Sequence, residues 1–180
     1  IESPGKIQYS TVGSYGPFQL MKSVARAHGL TVNRSQDDRK DFVLSAICAA
    51  KLLKKSCIPH AKRILEKQTI HYNESDLWFK LFVLHIYHAG AGNVADLIEE
   101  MNPDFGGISL IKEMWQNTFG GFKNASQNYS QVALASNLIL EELVYNECNS
   151  IYNCNESMNP VTEELLEIKH KIDAILIRDS

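Results

Sequence analysis

Between residues 76 and 88 the chain reads Asp76-Leu77-Trp78-Phe79-Lys80-Leu81-Phe82-Val83-Leu84-His85-Ile86-Tyr87-His88, and Ala89-Gly90-Ala91-Gly92 follows. A segment this apolar around its whole circumference has no face to give to water, so it predicts a central buried helix. Ser75 is its expected N-cap and the glycines its stop. The rest of the chain must then form a shell around it.

The flanking segments have the character of such a shell. Residues 18–28 predict a short helix stopped by Gly29. Residues 37–55 carry Phe42, Leu44, Ile47, Ala50 and Leu53 near helical spacing, with cations at the end, which predicts an amphipathic helix aligned with its dipole. Pro59 opens another short helix. Residues 93–101 and 108–119 predict two more, separated by a turn over 103–107 and closed by Gly120-Gly121. Ser126 or Asn128 is expected to cap a long helix reaching about Tyr145. Beyond Cys154, Pro160 begins an amphipathic stretch to Ile177, acids first and bases later. No segment alternates as a strand does, so the expected class is all-α. The expected division is one domain over residues 1–147 and a C-terminal loop and helix over 148–180.

At 180 residues, 44% hydrophobic and 22% charged, the chain can bury a sizeable core. A net charge of -3 offers no basic footprint, which argues against nucleic acid or an anionic membrane surface as partner. No apolar run approaches the roughly 18 residues needed to span a bilayer. The chain opens at Ile1 without Met or a leader, so a trimmed or mature form with native residues upstream is expected. Cys48, Cys57, Cys148 and Cys154 do not have zinc-site spacing, and no metal is expected. Cys48 lies in an apolar helical run and predicts a buried thiol. Cys148 and Cys154 flank a polar loop and either pair in an oxidising compartment or stay free.

The chemistry points to the N-terminus. Glu2 is followed by no Asp or Glu until Asp37, whereas Lys6, Lys22, Arg26 and Arg34 fall in that span. Asp37 itself sits on a charged turn expected to be exposed. One acid is thus held apart from the others, beside a glycine-rich turn.

Three ordered blocks carry a resemblance. They are Glu2-Ser3; Ser10-Thr11-Val12-Gly13-Ser14-Tyr15-Gly16-Pro17-Phe18-Gln19-Leu20-Met21; and Tyr87-His88-Ala89-Gly90-Ala91-Gly92-Asn93-Val94, with Asn128-Tyr129 ahead. Together they resemble the lytic transglycosylase catalytic domain of the lysozyme-like superfamily, over roughly Glu2 to Leu143. The chain departs from the family pattern at Pro17-Phe18, where Leu-Met is usual, at Lys22 for Pro, and at His88 for Asn.

The resemblance implies an all-α lysozyme-like fold with an added C-terminal helix. It implies cleavage of the β-1,4 MurNAc-GlcNAc bond of peptidoglycan glycan strands, with Glu2 as acid and then as base on the sugar's own 6-hydroxyl. It places Ser10 beside the N-acetyl group or Glu2, Gln19 and Met21 along the groove, Tyr87 near the Glu2 carboxylate, and Tyr129 in the same cleft. No metal or organic cofactor is implied. The implied location is the bacterial envelope, periplasmic or outer-membrane associated, or outside the cell. A goose-type lysozyme sharing the fold would instead hydrolyse with a positioned water, aided by an acid such as Asp96 or Asp104. A non-catalytic glycan-binding or scaffold module would leave Glu2 remote from Tyr87, and the stripe over 161–177 could then dock a partner or another domain.

Overall fold

A computed structural model describes residues 7–152, with side chains through Tyr145. Glu2, Cys154 and the 160–177 stretch lie outside the described residues, as does the side chain of Cys148. The chain forms two compact units, residues 1–136 and 137–180.

The first unit is helical. Its helices are α1 (Lys22–Ala27), α2 (Phe42–Leu52), α3 (Ile58–Lys67), α4 (Leu77–Ala89), α5 (Ala91–Met101) and α6 (Ile108–Gln116), and α7 (Ala125–Tyr152) begins in it. A 3-10 turn (Asp38–Lys40) precedes α2, and a π-helical turn (Leu53–Cys57) joins α2 to α3. Among the described residues the extended pairs are isolated bridges, such as Tyr9 with Tyr15 and Tyr15 with Leu20. The class is all-α. In the second unit, α7 presents Ile139, Leu140, Leu143, Val144 and Tyr145 exposed.

Helix α4 is the core element the sequence demands. Trp78, Phe79, Leu81, Phe82, Val83, His85 and Ile86 are buried on it. They pack with Ala61 and Leu65 of α3, Val94, Leu97 and Ile98 of α5, and Leu110, Ile111 and Met114 of α6. A smaller cluster joins Leu20, Ala25, Val32, Cys48 and Ala49. Leu52 and Tyr87 pack against both clusters. Among the described residues, Cys48 and Cys57 are free, buried thiols, and burial raises the pKa of Cys57 to about 11.

Several boundaries differ from expectation for local reasons. Residues 18–20 are not helical, because Gln19 takes a left-handed backbone (φ 46°) and Gly16 one at φ 81°, so α1 starts only at Lys22. The N-cap of α4 is Asp76 rather than Ser75, and its carboxylate accepts from the Trp78 indole N–H at 3.0 Å instead of capping the backbone. Gly90 does stop α4, at φ 85°, but α5 restarts at once and takes Gly92 inside it. Helix α6 ends at Gln116, short of Phe119. Helix α7 starts at Ala125, so Ser126 lies within its first turn rather than ahead of it. Pro59 falls in the first turn of α3, directly after the π-helical turn, and because the backbone stays helical from Leu52 through Ile58 it does not open a separate helix as expected.

Candidate active site

The glycine-rich stretch folds as a tight, internally bonded loop. Tyr15 and Leu20 exchange both backbone bonds at 3.1 Å, and Ser10 N–H donates to Ser14 O at 2.9 Å. Side chains complete it. Ser14 Oγ lies 2.7 Å from Ser10 Oγ and 2.8 Å from Gln19 Oε1, while Gln19 Nε2 donates to Gly16 O at 2.8 Å and Gln8 O at 3.1 Å. Ser10 and Gln19 therefore meet through Ser14, and the Gln19 carboxamide is committed to holding the loop.

Arg39 locks this loop to the turn before α2. Its side chain is 3% exposed. It donates to Asp37 at 2.7 and 2.9 Å and to Leu20 O at 3.0 Å. Asp37 is therefore half-buried and paired, contrary to the exposed turn expected of it, and its hydrogen bonds with the Arg39 side chain hold its carboxyl below the usual range. Gly16 is mandatory here, since a Cβ on it would sit 1.9 Å from Arg39 O.

Beside the loop lies a cleft of about 420 Å³. Pro17 and Phe18 of the loop form one wall, and Leu84 and Tyr87 of α4 and Tyr129 of α7 line it too. Its floor is made by Ala46, Ala49 and Ala50 of α2 and by Leu53, where the π-helical turn begins. The alanines make the space, because three small side chains in a row of helix contacts leave volume that larger ones would fill. Tyr87 Oη donates to Phe18 O at 2.8 Å, fixing loop to α4. The Tyr129 ring stacks on His88 with centres 4.3 Å apart and planes at 16°.

Of the residues drawn from the resemblance, Tyr87 and Tyr129 thus share one cleft, and Ser10 and Gln19 share one hydrogen-bonded loop. Met21 is 41% exposed ahead of α1 and does not line the cleft. Ser14, Arg39 and Asp37 were not anticipated in the site. The spacing of Asp37 and Arg39, close to a Gly that tolerates no Cβ, is the signal that marks them afterwards.

On α4, between the cleft residues Leu84 and Tyr87, His85 is fully buried, and among the described residues neither ring nitrogen has a hydrogen-bond partner. Its ring lies 5.3 Å from that of Phe122. Desolvation lowers its pKa to about 4, outweighing the nearby backbone of Ser126, whose approach falls short of hydrogen-bond geometry, so it is neutral at physiological pH. Among the described residues, no group of His, Cys, Asp or Glu is placed to hold a metal ion, and no helix is long and apolar enough to cross a membrane.

No curated protein and no solved structure matches the chain. Residues 2–103, more than half of it, match the family described as the transglycosylase SLT domain. The match runs from Glu2 through the loop, the α2 floor and all of α4, and ends before α6, so Tyr129 lies beyond it. Proteins with this domain bind peptidoglycan in the bacterial envelope and are typically lytic transglycosylases. An all-α core around α4, a bonded glycine loop and the extent of this match together show that the chain belongs to the transglycosylase SLT domain family, within the lysozyme-like superfamily.

Proposed function

We propose that the protein cleaves the β-1,4 MurNAc-GlcNAc bond of peptidoglycan without water. The Glu2 carboxyl donates its proton to the glycosidic oxygen, the C1–O bond of MurNAc breaks, and GlcNAc leaves as an alcohol. The resulting carboxylate takes the proton of the MurNAc 6-hydroxyl as O6 bonds to C1. A 1,6-anhydro ring results, Glu2 ends protonated, and no water is consumed.

The observation that carries this reading is the character of the cleft. Its walls are apolar side chains and the phenols of Tyr87 and Tyr129, surroundings that keep a carboxyl protonated near neutral pH, as an acid catalyst requires. In this reading Tyr87 and Tyr129 bound the sugar site, Ser10 stands beside Glu2 or the N-acetyl group, Gln19 acts through the loop it holds, and Met21 lies at the groove's edge. A hydrolysing lysozyme needs a second acid or a positioned water. Asp96 and Asp104, the acids considered for that role, are exposed and do not line the cleft.

Mass spectrometry of soluble products from purified peptidoglycan, with the protein and with Glu2→Gln, tests the reading. Anhydro-ended fragments, one water lighter than hydrolysed ends and reduced at least about a hundredfold in the variant, are expected. Reducing ends would establish a lysozyme. No release by either protein would leave a glycan-binding module.

A further inference from the structure

The loop that walls the cleft also carries an exposed aromatic that the cleft does not use. The Tyr9 ring stacks on Tyr15 with centres 4.2 Å apart and planes at 24°. The Arg39 guanidinium carbon lies 5.8 Å from the Tyr9 ring centre and 5.2 Å from that of Tyr15. That cation is itself fixed by Asp37 and by the carbonyl of Leu20. Despite this support Tyr9 remains 64% exposed. One ring face is committed to Tyr15, and most of the rest of the side chain is open to solvent. A ring held by Tyr15 and Arg39 yet still exposed suits binding, because a ring ordered in advance loses little entropy when a ligand covers it.

We propose that the open face of Tyr9 is a platform for one pyranose ring of the glycan strand, outside the bond-cleaving cleft. The proposal rests on the transglycosylase reading above. A β-linked sugar with equatorial substituents presents the axial C–H bonds of C1, C3 and C5 on one face, and that apolar, weakly positive face matches the negative face of an aromatic ring. Tyr9 directly precedes Ser10, and the same loop gives Pro17 and Phe18 to the cleft. A strand lying in the cleft and on the platform would therefore touch one rigid loop at two places. Binding energy gained on Tyr9 would position the bond in the cleft, as remote substrate contacts do in enzymes generally.

The stacking face matters here and the phenol hydroxyl does not. The test is calorimetric titration of a peptide-free GlcNAc-MurNAc octasaccharide into Glu2→Gln protein, alone and combined with Tyr9→Ala, Tyr9→Leu or Tyr9→Phe. Tyr9→Leu keeps apolar bulk against Tyr15 but removes the ring. The Ala and Leu proteins are expected to bind roughly five- to tenfold more weakly, and the Phe protein as tightly as its parent. Leu binding as tightly as the parent, or Phe losing as much as Leu, would overturn the platform while leaving the transglycosylase reading in place. A parent that does not bind the octasaccharide would overturn both.

Discussion

Single residues carry the loop, and Gly16 shows how sharply. Its φ of 81° and the 1.9 Å that a Cβ would leave to Arg39 O act together, whereas Gly13 has a similar φ of 86° and nothing within 4 Å. Gly16→Ala should therefore cost on the order of 3 kcal/mol of stability, and Gly13→Ala about 1 kcal/mol, read by urea unfolding. Equal costs would show that backbone strain alone governs both. At this scale the sequence was half legible. Gly13 and Gly16 announced a turn, but a left-handed Gln19 has no sequence signature, and Phe18 and Met21 happened to fall at helical spacing. Asp37 read as a solvated charge because its partner, two residues along, bends back only through a 3-10 turn. Tyr87 and Tyr129 were placed by resemblance, while the alanines that make their cleft were invisible, since an alanine in a helix reads the same whether it faces a core or a void.

Among the elements, α4 was the most legible, because composition alone dictates burial when no face is polar. Its amides from Leu81 to Ile86 should exchange with solvent only through global unfolding, whereas those of the exposed turn over residues 33–36 should exchange orders of magnitude faster. Hydrogen exchange that released α4 early would contradict its place at the centre of the larger cluster. The junction of α2 and α3 was illegible for a specific reason. Its buried or half-buried positions run Cys48, Leu52, Cys57, Ala61 and Leu65, in steps of four except for one step of five. A strict α period breaks there, and Pro59 added the look of a fresh start. The π-helical turn keeps the stripe on one side.

For the whole molecule, the buried neutral His85 makes stability depend on pH. Its folded pKa of about 4 lies below the ordinary 6.5 of the unfolded chain, so the unfolded state binds the extra proton. The benefit is complete above about 6.5 and is lost as pH falls from there towards 4, about 3 kcal/mol in all. Between pH 7 and pH 5 the protein should lose about 2 kcal/mol of unfolding free energy, and His85→Leu should lose markedly less. An unchanged slope in the variant would assign it to other groups. The lowered carboxyl of Asp37 adds a separate loss at more acidic pH, as its pairing with Arg39 is protonated away. The π-helical turn has a consequence of another kind. It begins at Leu53, on the cleft floor, and ends at Cys57, in the main core. The surplus residue wound in between acts as a static vernier, offsetting the register of the cleft floor from that of α3 by one residue within a single continuous helix.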